Sequence, residues 1–495
     1  MGIVFRQSIK TTIVTFAGAL LGALTVYLST KFIPDQGYGF SKTLLSQALV
    51  ASQLTLVGMH TTLYIFINRY SGNDERRKVL MTLSTIVPIV ITLVASVLYF
   101  ILKDSYINSY KPEDRVYMSM FFIWLPVYTL LWSVMTLFEH YLLSQLKVAI
   151  SNFIKEIILR GCNIVLVISF ALNVFDFYWF IVLSVLIHIV PIIILYILST
   201  KTDGFGFSFN WGVFNRDEYK KIIDFAVFHL FVNVSVVLLI YVDQLMLGIL
   251  DKSGLVSVAV YSVAIYIMSI FQIPIRAISS SVAPIFTKEH EAGNFEKLRE
   301  LFSKSAINLL IVICAMAAVI LCNMHNAVSI LNKSYSAIFF LVPILIMGRF
   351  IDSMSGLNTE ILTISKYYRF NLLISVLLLL VVIVFNYLLI PKYGVYGAAW
   401  ANTIGFTLYN LAKYLFLWYK MDMQPFSKKS ILVLIAIAPA AAAGYYMPHI
   451  GNAITDAIIR SILVIVIFTA MLIYLKPSEE LQEYLKNLVQ KKRLY

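Results

Sequence analysis

Five charged residues stand inside long apolar stretches of this sequence, where little water is available to solvate a charge. Arg276, Arg349 and Lys413 are basic, and Asp243 and Asp352 are acidic. Ionisable side chains at membrane depth are costly, so they usually face a cavity or a partner and are candidates for function. Three cations would give such a cavity a field that attracts anions, and arginine can donate two parallel hydrogen bonds to a phosphate. The sequence therefore predicts a substrate-binding role for all five residues.

Each of these residues also has a purely structural interpretation. Arg349 and Asp352 are three residues apart on one helix face, so they can neutralise each other. Arg276 and Lys413 lie far enough along their stretches to extend their side chains to the cytoplasmic interface. Asp243 lies near the end of its stretch, where it can meet lipid headgroups or pair with another helix. The sequence alone leaves both interpretations open.

Three further residues are candidates for a gate or for coupling to an ion: Glu139, Glu360 and His60. Both glutamates lie near the ends of apolar stretches, where an interfacial cap is the structural alternative. His60 lies within an apolar stretch, and a lone histidine there is more often a packing residue. The two glutamates gain interest because they occupy equivalent positions in an internal repeat.

That repeat appears when the sequence is shifted by 221 residues without a gap. The shift places Gly72–Arg76 on Gly293–Lys297 and Glu139 on Glu360. A constant offset over about 150 residues indicates two copies of one structural unit.

The copies differ where the cations are. The shift places Thr55, Tyr128 and Ile192 at the positions of the three cations, so the first copy has no basic counterpart. We therefore expect the second copy to supply the cationic side of any substrate cavity.

The composition of the sequence indicates which type of structural element positions these residues. Of 495 residues, 60% are hydrophobic and only 13% are charged, whereas soluble domains are about 25% charged. Fourteen apolar stretches are each long enough to cross a ~30 Å hydrocarbon core as a helix. The predicted transmembrane helices are 9–33, 43–67, 80–102, 116–138, 154–175, 177–198, 222–250, 256–278, 303–322, 338–357, 370–390, 395–419, 431–447 and 454–475.

Charge distribution orients these helices. Most of the 39 lysines and arginines lie in alternate connections, which the positive-inside rule assigns to the cytoplasm, so both termini are predicted to be cytoplasmic. Six helices per copy is an even number, which makes the copies parallel repeats with a substrate path expected between them.

The predicted domains follow the repeat. They are an N-terminal lobe at 1–200, a cytoplasmic linker at 201–221, a C-terminal lobe at 222–420, two further helices at 421–476 and a basic tail at 477–495. The tail carries Lys486, Lys491, Lys492 and Arg493 and is expected to bind anionic membrane lipids.

Several other functional classes lack their motifs here. No Gly-x4-Gly-Lys-Ser/Thr string occurs, so ATP hydrolysis is not expected. Cys162, Cys314 and Cys322 all lie in apolar stretches, and no residues have metal-ligand spacing, so we predict no disulfide, metal or cofactor. The net charge of +13 comes from lysines and arginines that lie mostly in the predicted cytoplasmic connections. This distribution argues against a nucleic-acid partner. External connections are too short for a catalytic domain, and we expect a transporter rather than an enzyme.

One string resembles a known family. Residues 386–401 read N-Y-L-L-I-P-K-Y-G-V-Y-G-A-A-W-A and are similar to the N-x-x-L-I-P-x-Y-G-x-x-G-A-A-x-A turn of polysaccharide flippases. These belong to the multidrug/oligosaccharidyl-lipid/polysaccharide exporter superfamily. Asp243–Gly248 followed by Val260–Ala264 resembles that family's junction of the seventh and eighth helices. Tyr38-Gly39 resembles its first turn, although Pro34 replaces a glycine there.

This string also has a structural explanation. Pro391 is expected to end a helix, Gly394 and Gly397 to allow a tight turn, and Ala398 and Ala399 to allow close helix packing.

The resemblance implies a flippase of the bacterial cytoplasmic membrane that moves a polyprenyl-diphosphate-linked oligosaccharide by alternating access, for surface polysaccharide biosynthesis. In such a protein, Arg276, Arg349 and Lys413 would neutralise the diphosphate or acidic sugars, and Asp243 and Asp352 would keep these cations ordered. Energy would come from a proton or sodium gradient or from the membrane potential. We expect a monomer.

The alternatives are a multidrug antiporter and a lipid II flippase of the same superfamily. The antiporter needs a buried carboxylate in the first lobe, and the first predicted helix contains none. A lipid II flippase is expected to carry arginines in the first lobe, and the first three predicted helices contain none. A membrane polymerase would need a large external loop, and a scaffold would have no use for intramembrane cations.

Overall fold

The computed structural model describes residues 2–70 and 72–477, without the side chains of residues 2–12, 280, 368 and 372. Secondary structure in these ranges is entirely helical. The chain forms two compact units: unit 1 is Met1–Val263 with Asn386–Val395, and unit 2 is Ala264–Phe385 with Tyr396–Tyr495. The predicted basic tail lies, apart from Pro477, outside the described residues, and the predicted domain limits stay a prediction.

Unit 1 contains the first twelve α-helices and the start of the thirteenth. They are α1 (Gly2–Phe32), α2 (Asp35–Leu56), α3 (Met59–Phe66), α4 (Asp74–Ile101), α5 (Lys103–Asn108), α6 (Arg115–Met120), α7 (Trp124–Ser144), α8 (Val148–Phe153), α9 (Leu159–Ala171), α10 (Phe177–Leu186), α11 (Ile189–Thr200), α12 (Arg216–Leu250) and α13 (Gly254–Ser269). A single π-helical turn, Ile154–Ile158, joins α8 to α9.

Unit 2 contains the remaining helices, except for the end of α19 and the first residue of α20. They are α14 (Gln272–Glu291), α15 (Phe295–Cys322), α16 (Met324–Ile330), α17 (Ile338–Met354), α18 (Asn358–Ile364), α19 (Tyr368–Tyr393), α20 (Val395–Met421), α21 (Lys428–Tyr446) and α22 (Ala453–Leu475). Short 3₁₀ turns occur at Ile67–Tyr70, Trp211–Val213 and Lys333–Tyr335.

Ten segments of the described chain are long and apolar enough to cross a membrane, or eleven if the bent pair α2–α3 forms one span. The protein is therefore an all-helical integral membrane protein. Three of the fourteen predicted spans fall on helices outside this set: α6 with α7, the π-helical turn with α9, and α20. The count of fourteen and the orientation of the termini stay predictions.

The string shared by the two copies, Gly72–Arg76 and Gly293–Lys297, forms the start of a helix in each copy. Gly72 and Gly293 both have positive φ angles, of 90° and 70°. The next residue then caps a helix: Asn73 accepts from the Arg76 backbone N–H at 3.1 Å and Asn294 from that of Lys297 at 3.2 Å. A capping asparagine satisfies a donor that the first turn leaves unpaired. The repeat therefore preserves the entry into α4 and α15.

Two local expectations were wrong. Gly397 lies within α20 rather than in the turn. Pro391 does not end its helix, because α19 continues to Tyr393. The break falls instead at Gly394, whose φ of 57° lies in the left-handed region that favours glycine. The alanines that follow, Ala398 and Ala399, are both fully buried, in keeping with close packing.

The two C-terminal helices pack together and against α15. Their shared apolar core includes Ile307 and Cys314 of α15, Val433 and Ala440 of α21 and Val464 of α22. A side chain at Gly444 would come within 2.5 Å of Val464. Small residues thus let α21 approach α22 closely, as is common between membrane helices.

Candidate functional site

The polar face of α20 is the centre of the candidate site. Asn402, Thr403, Asn410 and Lys413 are all buried, although α20 is a helix of a membrane protein. Their positions recur at helical spacing, so they lie on one side of α20. Buried polar groups need partners, and α17 and α18 of the same unit supply them for Thr403, Asn410 and Lys413.

Asn410 joins these three helices. Its side-chain Nδ2 donates to Asp352 Oδ1 of α17 at 3.0 Å. Its Oδ1 accepts from Asn358 Nδ2 of α18 at 3.0 Å. Asn358 and Asn410 are buried, so this hydrogen bond satisfies polar groups that would otherwise be costly to bury.

Lys413 continues this network and is fully buried. Its Nζ donates to Thr359 Oγ1 at 2.8 Å and to the Tyr409 hydroxyl, and it lies 3.8 Å from the centre of the Tyr409 ring. Thr359 in turn donates to Asn358 Oδ1 at 3.2 Å. Lys413 Nζ is therefore held by two hydroxyl oxygens and an aromatic face within unit 2.

Arg349 lies at the open end of the network. Its guanidinium is 4.0 Å from Asp352 Oδ2, and the two side chains are 22% and 24% exposed. The guanidinium also lies over the Phe406 ring at 4.5 Å. A separation of 4.0 Å is too long for a hydrogen bond, so Asp352 does not occupy the donors of Arg349. They can bind an incoming acceptor.

Glu360 and Arg276 belong to the neighbouring surface of unit 2. Glu360 accepts from Ser279 Oγ of α14 at 2.6 Å, which links α18 to α14. Arg276 is on α14, three residues before Ser279, and is exposed. It has no ion-pair partner in the part of the chain that the structure describes.

Asp243 belongs to unit 1 and is buried there. It accepts from the Tyr261 hydroxyl of α13 at 2.6 Å and from Asn386 Nδ2 of α19 at 2.7 Å. Asp243 and Asn386 are the first residues of two family-like strings in the sequence, and this contact brings those strings together. The carboxylate joins three helices, and its predicted role toward substrate stays a prediction.

The other predicted gate residues also belong to unit 1. Glu139 on α7 pairs with Lys155 of the π-helical turn at 3.2 Å. His60 Nε2 is 3.1 Å from Asn233 Nδ2 of α12, and its ring meets that of His140 edge-on at 4.6 Å. His60 Nδ1 is buried and has no hydrogen-bond partner among the described residues. Both residues thus connect helices of unit 1, and their gating role stays a prediction.

The structure brings four predicted residues together around α17, α18 and α20: Arg349, Asp352, Lys413 and Glu360. Sequence reasoning missed their neutral partners, Asn358, Thr359, Tyr409 and Asn410. The recurrence of polar residues along one face of α20 was the sequence signal that could have identified these partners. Sequence reasoning also missed the pair of Arg160 and Glu156, which are 2.6 Å apart and four residues apart in sequence. No metal-binding group of three or more His, Cys, Asp or Glu occurs within residues 2–70 and 72–477.

Comparison with solved structures identifies the class. The lipid II flippase MurJ in an inward closed conformation has a TM-score of 0.73 at 13% identity, covering 94% of this chain and 98% of MurJ. An inward-facing multidrug resistance MATE family transporter has a TM-score of 0.69 at 12% identity, covering 84% and 98%. A MOP superfamily transporter from Pyrococcus furiosus has a TM-score of 0.58 at 15% identity, covering 85% and 95%. The protein has the fold of MOP superfamily transporters.

Sequence comparison identifies the family. Residues 4–290, more than half of the chain, match the family described as polysaccharide biosynthesis protein. Residues 229–388 match the MatE family. None of the curated proteins matches the sequence. The chain belongs to the polysaccharide biosynthesis protein family, which confirms the resemblance drawn from the sequence.

Proposed function

We propose that this protein is a flippase that moves a polyprenyl-diphosphate-linked oligosaccharide across a bacterial cytoplasmic membrane. Family membership supports the polysaccharide context. The observation that carries the proposal is Arg349, whose partly exposed guanidinium keeps its donors available at the edge of a buried polar network. Arginine forms charge-assisted and often bidentate hydrogen bonds with phosphate, so a diphosphate fits this donor set.

In this proposal, the diphosphate binds Arg349 with two parallel hydrogen bonds. Asn410 donates to the other oxygen of Asp352, and the oxygen nearest Arg349 lies 4.0 Å from the guanidinium, too far for a hydrogen bond. Lys413 adds a second positive charge behind the site. Phe406 and Tyr409 place their aromatic faces against the Arg349 guanidinium and Lys413 Nζ and hold these two cations in position.

The remaining predicted residues have supporting roles in this proposal. Arg276 is exposed and available for an acidic sugar or a second phosphate oxygen. Asp243 holds helices in register through Tyr261 and Asn386. Glu139, Glu360 and His60 act in gating or in coupling to a proton or sodium ion, and the protein functions as a monomer. The membrane potential can contribute about 2.3 kcal/mol per charge per 100 mV.

The test is transport by the full-length protein in proteoliposomes. We expect Arg349→Ala to raise the KM for a fluorescent polyprenyl-diphosphate oligosaccharide about 10- to 100-fold, because a charge-assisted hydrogen bond contributes roughly 1.5–3 kcal/mol. Arg349→Lys keeps the charge but loses the planar fork, and should fall between Ala and wild type. Arg299→Ala is the matched control, because Arg299 forms a more exposed pair with Asp422.

The same vesicles separate the alternatives. Transport of lipid II or of a cationic dye in preference to the oligosaccharide carrier would contradict the proposed substrate. Unchanged KM in Arg349→Ala, with the oligosaccharide carrier still transported, would contradict the assigned site and leave the substrate intact.

A further inference from the structure

A group of polar side chains is buried in unit 1, where α3 contacts both α7 and α12. His60 of α3 is 3% exposed, and its Nε2 lies 3.1 Å from Asn233 Nδ2 of α12. The same amide donates to Thr61 Oγ1 at 3.0 Å. His140 of α7 meets the His60 ring edge-on at 4.6 Å. One buried histidine therefore connects three helices of unit 1.

The His60 ring has one nitrogen that these contacts do not satisfy. As the amide lies, Asn233 Nδ2 donates to Nε2, so the proton of the neutral ring is on Nδ1, which is buried and has no hydrogen-bond partner among the described residues. If the amide turns its oxygen toward Nε2, the proton moves to Nε2 and Nδ1 becomes an acceptor without a donor. In either arrangement one buried polar atom is unpaired, which is uncommon in native structures and calls for an explanation.

The surroundings of His60 offer a positive charge no anion. The titratable groups that act on the charge of the ring are His140 and His229 of α12, and both are basic. Glu139, which precedes His140, is already in an ion pair. The charged residues of α4, which also packs against α3, are confined to its first turns at 74–78. A protonated His60 in this arrangement would be a buried charge without a partner, which is strongly unfavourable.

His60 lies two residues after the break between α2 and α3. Val57 and Gly58 have left-handed φ angles of 46° and 71°, and the two helices bend by 58° there. A Cβ at Gly58 would lie 2.1 Å from the Ala226 carbonyl oxygen of α12. Helix α12 therefore contacts the chain at the break itself and again at His60. Because the helix is already interrupted at the break, α3 can change its angle to α2 without losing regular helical hydrogen bonds.

We infer that the contact between His60 and Asn233 is a proton-dependent switch, in which protonation of His60 separates α3 from α12. The protonated ring has two N–H donors, and Asn233 can turn its oxygen to only one of them, so Nδ1–H has no acceptor. Moving α3 away from α12 lets water solvate the charge. The separated form then binds a proton that the closed form does not, and acid favours the separated form. The inference rests on the proposed function for the gating or coupling role of His60, and it names the ion as a proton.

Distances between spin labels test the inference without measuring transport. In the full-length protein without its three native cysteines, labels are attached at Tyr64→Cys of α3 and Phe231→Cys of α12, where both residues are exposed. In nanodiscs we expect a longer distance to appear in acid. Its population relative to the shorter one should rise by up to about tenfold per pH unit below the ordinary histidine pKa of about 6.5. A single distance at every pH from about 8 to about 5 would overturn the inference.

Substitutions assign the response to His60. His60→Gln keeps a polar side chain facing Asn233 but cannot take up a proton, so it should abolish the pH dependence. His188→Gln is the matched control, because His188 is another buried histidine of unit 1, whose Nδ1 lies 3.2 Å from the Val185 carbonyl oxygen. The response should persist in this control. A response that survives in His60→Gln, or that His188→Gln also abolishes, would overturn the inference.

Asn233→Asp supplies the anion that His60 lacks, and it gives a result even if His60→Gln does not fold. A carboxylate beside Nε2 can pair with the protonated ring, so the shorter distance should persist in acid. Separation of the helices in Asn233→Asp, as in the parent protein, would overturn the inference. Oligosaccharide transport by a protein without the pH response would contradict this inference alone. A pH response without transport of the oligosaccharide carrier would contradict the proposed function alone.

Discussion

At the scale of single residues, Asn410 is the connection on which the candidate site depends. It donates to Asp352 and accepts from Asn358, so it holds α17 and α18 on the same face of α20. Removing one partner of a buried hydrogen bond leaves the other unsatisfied, and this costs more than the bond itself contributes.

A double-mutant cycle measures this connection. Asn410→Ala and Asp352→Ala should each lower the free energy of unfolding by about 1–3 kcal/mol, because each deprives a buried amide of one of its hydrogen bonds. The double variant should fall short of the sum by about 0.5 kcal/mol or more, since the two residues share one interaction. Unfolding by SDS titration of the purified protein measures all three variants.

Ser329→Ala is the control for the cycle. Ser329 donates to the Asn326 backbone within α16 and touches neither residue of the pair. Its effect should add to that of Asn410→Ala. Strict additivity between Asn410→Ala and Asp352→Ala would show that their hydrogen bond contributes no coupling.

The charged members of the site could be predicted from the sequence, whereas the neutral ones could not. Arg349, Asp352 and Lys413 stand out because a charge within an apolar stretch has few explanations. Asn358 and Thr359 are ordinary polar residues, and only the packing of α18 against α20 gives them a role. Asp243 shows the opposite case: its charge was noticed, but the tertiary contacts with Tyr261 and Asn386 could not be foreseen.

At the scale of elements, the breaks in the helices carry information that hydropathy does not. The pair α2–α3 bends by 58° at Val57 and Gly58, which have φ angles of 46° and 71°. A Cβ at Gly58 would lie 2.1 Å from the Ala226 carbonyl oxygen. The bend therefore depends on both the left-handed backbone and the close approach of α12.

Alanine substitution at two glycines separates these requirements. Gly293 has a φ of 70°, but its Cβ would have open space, so Gly293→Ala should cost only the left-handed backbone penalty of about 1–2 kcal/mol. Gly58→Ala pays the same penalty and also clashes with backbone. We expect it to lose most folded protein, as measured by the monodisperse fraction in size-exclusion chromatography. Equal yields of the two variants would show that α12 moves away without cost.

Hydropathy identifies the strongly apolar helices as membrane spans and is less able to identify helices with a polar face. Ten or eleven spans are apolar by composition, and the segments outside this set include α20, which carries the candidate site. Averaging hydropathy over a sequence window gives a low value for a helix whose buried face is polar. The partners of that face lie on other helices, so the average does not show that the face is buried. The π-helical turn before α9 has no signature in composition, so its position was not predictable.

At the scale of the whole molecule, the internal repeat predicts the topology of the two copies in the membrane. The helix starts at Asn73 and Asn294 have the same capping geometry, so the two copies enter α4 and α15 in the same way. If six helices form each copy, both starts face the cytoplasm, and the repeats are parallel. An inverted repeat would place the two starts on opposite sides of the membrane.

Cysteine labelling distinguishes these arrangements. In a variant without Cys162, Cys314 and Cys322, single cysteines are placed at four exposed positions: Asp74, Ser109, Glu296 and Ser334. A membrane-impermeant maleimide should label Ser109→Cys and Ser334→Cys in intact cells, because their loops are predicted to be external. Asp74→Cys and Glu296→Cys should react only after permeabilisation, since lysines and arginines cluster beside them and favour the cytoplasm. If Asp74→Cys and Glu296→Cys react from opposite sides, an odd number of spans separates them. The parallel repeat would then be wrong, and so would the count of fourteen helices.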